Sequence, residues 1–255
     1  MRYFVDETSI VRRIWGEGDT ILFIFAGASA EFALNKAVDW LYYTGRLPAD
    51  PLGRLFSTVS YARGIVFSEY EQALQVIDKI SHIHKAVENS RGAEIPGWAY
   101  RDVLFMLIDY SIRSFELLER KLKPEEKEEV FEVFNRMGTR MGIKNLPSTY
   151  DEWLPARHEH LQQDLQKSHL TTDLYKQYRK HLGTIRYWIL KQAQLLVVPK
   201  KVRGELKLGK LQLLKPVLVL YKFSRLFKLD QRLRNIILPT NYKSQIVDLD
   251  VIQSR

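Results

Sequence analysis

The sequence predicts an all-α protein, and three observations carry that expectation. Apolar residues recur at helical spacing through most of the 255 residues, and no segment alternates as a strand would. Helix start signals stand where the periodicity begins, notably Asp50-Pro51, Ser68-Glu-Tyr-Glu71 and Pro124 followed by four glutamates. A hydrophobic share of 45% with five tryptophans suits a packed core rather than a disordered chain.

Four helices follow from these signals. The first has Asp50 as N-cap and Pro51 at N1, where the missing N–H costs nothing, and runs to Phe67. The second opens on a capping box at Ser68–Glu71 and reaches Glu88. The third covers residues 100–120. The fourth starts at Pro124, with acidic residues at the positive end of its dipole and Arg136 and Arg140 at the other, and stops before Gly142. Further helices are expected over 9–15, 21–43, 148–167, 172–196 and 213–229.

Composition narrows the chemistry. With no cysteine, disulfides, iron–sulfur clusters, thiolate-ligated haem and cysteine nucleophiles are all excluded. HExxH, Walker, GxSxG and GxGxxG patterns are missing, which removes support for metalloprotease, nucleotide-loop, α/β-hydrolase and dinucleotide-fold readings. The apolar runs at 21–30 and 211–220 are too short or too interrupted to span a bilayer, and the opening MRYFVDETSIVRR lacks the apolar core of a signal peptide. The expected location is the cytoplasm, with peripheral membrane contact as an option.

The charge is uneven. Between Lys176 and Arg234, sixteen Lys and Arg face only Glu205 and Asp230, a local balance of +14, while the rest of the chain carries −5. Residues 211–229 mix Leu, Val and Phe with Lys215, Lys222, Arg225 and Lys228. Such a basic amphipathic helix suits an anionic lipid surface, or packs on the body with its lysines solvated. No recognition motif points to nucleic acid.

Two helices hold the candidate site. In residues 51–67, Leu52, Leu55, Phe56, Val59, Ala62 and Val66 form an apolar stripe. Gly53, Ser57, Ser60 and Gly64 form a small-residue stripe, and Arg54, Thr58, Tyr61 and Ile65 a third. No face is charge-rich, so the helix is read as enclosed. An enclosed Arg54 needs either a structural carboxylate or an anionic ligand such as a haem propionate. On the next helix His84 lies seven after Ile77, four after Ile80 and three before Val87. It therefore faces inward, as a hydrogen-bonded core histidine or as a metal ligand, whereas His82 faces solvent. Asp109 is the only charge between Val103 and Ile112, so it is expected to be at least partly buried, pairing with Arg54 or accepting from His84, with a helix-capping or surface role as the alternative. His158, His160 and His169 sit in a charged, Gln-rich stretch and are read as surface residues.

These segments resemble the superfamily of bacterial rubber oxygenases and fungal ER-bound MpaB-type oxygenases. Asp50-Pro-Leu-Gly-Arg54-Leu-Phe-Ser-Thr58 is similar to its DPxGRLxxT signature, and Ile83-His84-Lys-Ala-Val87 to its IHxxV helix end. Phe23–Leu34 is similar to its early glycine-bearing helix, and Met137–Pro147 to its late glycine–proline segment. The resemblance covers about Ile10 to Asp164. It implies a globin-like helical bundle holding haem b, and the Pro199-Lys-Lys-Val-Arg-Gly204 stretch is read as the boundary between that domain, residues 1–198, and a basic C-terminal extension, 199–255. It further implies His84 as proximal iron ligand, Arg54 and Thr58 lining the haem and supporting its activity, and oxidation of an apolar, isoprenoid-type substrate by dioxygen. The alternative is a non-enzymatic helical protein whose basic C-terminal region binds a membrane surface or nucleic acid. Three positions depart from the pattern. Ser57 stands for a distal lysine, Phe32–Lys36 for a Gln-x-x-His-Pro run, and Asp109 for a histidine.

Overall fold

Helix-forming runs separated by short, capped turns give a purely helical architecture. The structure, a computed structural model, describes residues 2–225, and among these there are no strands beyond two isolated bridges. The helices are α1 (Ile10–Gly16), α2 (Gly18–Phe32), α3 (Val38–Tyr43), α4 (Arg46–Ala49), α5 (Pro51–Val66) and α6 (Tyr70–Arg91). They continue with α7 (Gly97–Leu118), α8 (Pro124–Arg140), α9 (Tyr150–Gln163), α10 (His169–Val197), α11 (Lys200–Glu205) and α12 (Leu214–Arg225). The expected helix over 213–229 matches α12 as far as Arg225, and the remainder of that expectation lies outside the described residues, as does the terminus from Pro239.

Local chemistry sets most of the boundaries. Asp50 caps α5 by accepting the Gly53 N–H at 2.9 Å, with Pro51 at N1. Glu126 reaches back to the Lys123 N–H at the start of α8, and Gly142, at φ +77°, follows its end.

Three expectations need correction. The single helix over 21–43 breaks after Phe32, because the Asn35 side chain accepts the Ala37 N–H at 2.8 Å and closes a turn instead. The Ser68 capping box does not form. Glu69 is the N-cap, and the preceding chain is drawn aside by a bridge from Tyr3 to Glu69 and a hydrogen bond from the Tyr70 N–H to the Arg2 carbonyl. The helix over 172–196 is kinked at Gly183, which adopts φ +72°.

Helix α2 is apolar on nearly every side and lies at the centre, packed against α7 and α10. Its approach to α7 is so close that a Cβ on Gly27 would strike the ring of Tyr110. Trp15, Ile24, Phe105, Phe115, Phe131 and Trp153 are fully buried around this axis. Each such side chain contributes about 1.5–3 kcal/mol of transfer free energy. Helix α11 seats Val202 against Ala30, Leu34, Leu161 and Leu165. The pair α5 and α6 packs at the side of this body, with α5 also touching α10 and α1.

Candidate functional site

Helix α5 carries Arg54 and Thr58, and helix α6, packed against it, carries His84. On α6, Ala73 and Ile77 are buried and His84 follows them on the same stripe, while His82 and Lys85 are exposed. The Nδ1 atom of His84 is buried with no hydrogen-bond partner. Its ring meets the Tyr100 ring edge-on, with centroids 5.2 Å apart. Tyr100 is held in turn by its hydroxyl, which donates to Glu88 at 3.1 Å. Burial lowers the pKa of His84, and the positive charge of Arg54 lowers it further, while Glu88 opposes the shift. The guanidinium and the imidazole are therefore electrostatic neighbours, and the imidazole is neutral at pH 7.

Arg54 is part-buried on α5. Its Nη1 donates to the Thr58 hydroxyl at 2.9 Å and to the Ser57 hydroxyl at 3.2 Å, and both hydroxyls donate to the Arg54 carbonyl. No carboxylate pairs with it among the described residues, so the structural ion pair considered from the sequence is not what holds this side chain. Burial and the nearby Arg46 lower its pKa, with Tyr61 opposing. A cation kept in such a place is suited to an anionic ligand. Ser60 is exposed but the remainder of α5 from Val59 to Val66 is buried or half-buried, as an enclosed helix requires.

A second polar cluster lies within the body, where α2, α7 and α9 meet. Arg157, 4% exposed, donates to both oxygens of Glu31, at 2.6 Å from Nη2 to Oε2, and to Asp109 Oδ2 at 2.9 and 3.1 Å. Tyr110 donates its hydroxyl to Glu31 at 2.8 Å. His160 places Nε2 2.9 Å from Glu31 Oε1. Burial opposes ionisation of Glu31, but Arg157 and His160 outweigh it and hold its carboxyl at about 2. Burial likewise disfavours a charged His160, yet Asp102 and Glu31 push its pKa up to about 9.

This cluster corrects two expectations. Asp109 is partly buried as expected, but it pairs with Arg157 and, at 2.6 Å, with Arg113, and with neither Arg54 nor His84. His160 is not a surface residue. It is 1% exposed, while His158 and His169 are at the surface. The signal was present in the spacing, since Trp153, Arg157, His160 and Leu161 stand at i, i+4, i+7 and i+8 and form one buried face of α9.

Two clefts border the body. One lies along the acidic face of α8, from Pro124 to Glu132, and the other, of about 300 Å³, opens between Lys167, Lys176, Arg179 and Lys191 with Tyr175 and Tyr187. Neither reaches Arg54, Thr58 or His84. No helix among the described residues is long and apolar enough to cross a membrane.

The donor chemistry at α5 and α6 nevertheless fits haem b, with a neutral imidazole for iron and a guanidinium free of carboxylates for an anionic substituent. No curated protein matches the chain. The family model for the catalytic domain of the ER-bound oxygenase mpaB/B′ and rubber oxygenase matches residues 12–229, which is most of the sequence and takes in both polar clusters. With that match added to the helical body and to the Arg54, Thr58 and His84 face, the chain belongs to the mpaB and rubber oxygenase family and is an oxygenase.

Proposed function

We propose that this oxygenase uses haem b, with His84 as the iron ligand, to oxidise an apolar, isoprenoid-type substrate with dioxygen. The observation that carries the reading is the buried, partnerless Nδ1 of His84 beside the charge of Arg54. A buried polar atom without a partner costs about 1–3 kcal/mol, and a ligand that engages the imidazole offsets that cost.

Haem would supply a redox-active iron for oxygen chemistry. The chain's own side chains do the rest. Burial and Arg54 keep His84 deprotonated at neutral pH, which is the form that ligates a metal. The edge of Tyr100 fixes the plane of the imidazole. Thr58 and Ser57 tie Nη1 of Arg54 to its own helix, so the guanidinium is held in one orientation toward an anionic group such as a propionate. The Thr58 hydroxyl also donates to the Arg54 carbonyl, which leaves it a positioning group as well as a lining one.

The absorption spectrum of the full chain reconstituted with haemin tests the proposal. A Soret band that His84→Ala removes, with an unchanged far-ultraviolet circular dichroism spectrum, is the expected result. A wild-type chain that takes up no haemin, or an H84A spectrum equal to that of wild type, would overturn it. Dioxygen uptake by the loaded chain with a farnesyl or polyisoprenoid chain then tests the substrate class.

A further inference from the structure

The internal cluster turns two carboxylates toward a single imidazole nitrogen. Asp102 is fully buried, and its Oδ2 accepts from Asn35 Nδ2 at 3.0 Å, but Oδ1 has no hydrogen bond. That oxygen is paired instead with Nδ1 of His160, at 2.8 Å. On the other side of the same nitrogen, Asp164 Oδ2 stands at 3.4 Å. The three donor atoms all lie within 4.8 Å of one another.

The geometry points to a divalent transition-metal site held by His160 Nδ1, Asp102 Oδ1 and Asp164 Oδ2. First, two carboxylates facing one imidazole nitrogen need a positive charge between them, which a proton on His160 or a bound cation supplies, because the nearby arginines are largely committed elsewhere. Arg157 is shared by Glu31 and Asp109, and Arg113 serves Asp109. Arg101 reaches Asp164 only electrostatically. Second, ligands 2.1 Å from a tetrahedral ion lie ~3.4 Å apart, which is the separation of Asp164 Oδ2 from His160 Nδ1, while Asp102 Oδ1, at 2.8 Å, has to draw back to admit an ion.

Third, the supporting contacts are those a ligating set requires. Glu31 accepts from His160 Nε2, which fixes the tautomer and leaves the Nδ1 lone pair for a metal, and Glu31 is itself pinned by Arg157 and Tyr110. Asn35 holds Asp102 by its other oxygen, and its own side-chain carbonyl accepts from the Ala37 N–H. Fourth, the side chain of Asp164 is 17% exposed, so an ion can arrive from solvent and keep water as a fourth ligand. One nitrogen and two carboxylate oxygens select Zn²⁺ or Mn²⁺ over soft Cu⁺ and over Ca²⁺. When no cation is present, a proton on His160 takes its place, and metal binding releases that proton.

The site would staple two segments far apart in sequence, the start of α7 and the end of α9, and reaches the turn after α2 through Asn35. A backbone clasp already joins that turn to the end of α9, with Lys36 N–H donating to the Asp164 carbonyl at 3.0 Å and Gln166 N–H to the Leu34 carbonyl at 2.7 Å. It does not involve His84, so it stands or falls separately from haem.

Metal content and titration calorimetry on the full chain, stripped with EDTA and then given Zn²⁺ or Mn²⁺, provide the test. One equivalent bound with a raised melting temperature is expected. Asp164→Asn, at the accessible edge, weakens binding at least ~10-fold while circular dichroism is unchanged. Asp102→Asn does the same if it folds. The inference fails if the stripped wild-type chain binds neither ion, or if D164N binds as tightly as wild type, which would place the ion on surface histidines.

Discussion

The two polar clusters of this protein handle charge in opposite ways. In the body, all three guanidinium nitrogens of Arg157 are engaged by Glu31 and Asp109, and the carboxylates are shared further with Tyr110, Arg113 and His160. At α5 and α6, Arg54 finds only the hydroxyls of its own helix, and His84 Nδ1 finds nothing. The carboxylate pairs of Arg157 serve the fold, whereas a cation without a carboxylate beside an imidazole nitrogen without a partner serves a ligand. Arg157 is buried and Arg54 part-buried, and the sharper contrast lies in their partners.

Paired substitutions test that contrast most strongly. Arg157→Met leaves Glu31 and Asp109 buried without their cation, and unfolding in urea should show a loss of about 3–5 kcal/mol. Arg54→Met removes a cation that no carboxylate answers, so it should cost less than about 1 kcal/mol in the ligand-free chain. Equal losses in the two variants would mean that Arg54 is structural after all, and the contrast would collapse.

Glycines on the two helix pairs give a second, smaller comparison. Helix α2 approaches α7 through Gly27, where an added methyl runs into the Tyr110 ring that donates to Glu31. Gly27→Ala should therefore cost about 1–3 kcal/mol by overpacking. At Gly64, between α5 and α6, an added Cβ would rest 3.6 Å from Val76, an ordinary contact. Gly64→Ala should be neutral or gain up to about 1 kcal/mol from helix propensity. Thermal unfolding of both variants reads the difference, and a destabilised G64A would show that the α5 and α6 pair is as tightly fitted as the centre.

What the sequence disclosed and what it hid follow from the range of the forces involved. Periodicity and caps are local, so the all-α class and the starts of α5 and α8 could be read directly from Asp50, Pro51 and Pro124. The break after Phe32 depended on one asparagine side chain outcompeting a helix, and the lost cap at Ser68 on a partner sixty-five residues away at Tyr3. The inward stripe of α6 was legible because its apolar neighbours announce it. The stripe of α9 was masked, since Arg157 and His160 are polar residues buried by partners on α2 and α7 that no local pattern reveals. Asp109 shows the same limit from the other side. Its burial was visible in its apolar flanks, but its partner was not.

The smallest expected effect concerns the join between α6 and α7, next to the ligand face. Glu88 is buried and accepts the Ile95 N–H at 2.9 Å and the Tyr100 hydroxyl at 3.1 Å, with Lys85 at 3.2 Å. Burial pulls its pKa upward, but the Ile95 N–H, Lys85 and Tyr100 together bring it below the usual glutamate value of 4.5. A carboxyl whose folded pKa is depressed stabilises the protein above its unfolded pKa, and that contribution is lost as pH falls through the folded one. Glu88→Gln keeps a carbonyl for the two hydrogen bonds and removes only the charge. It should lower stability by about 1 kcal/mol at pH 7, and the gap in melting temperature between wild type and E88Q should close as the pH drops below 4.5. A gap that stays constant on acidification would assign the effect to packing against Tyr100. In that case the ring that orients His84 is held by shape, and its placement would be independent of the carboxylate behind it.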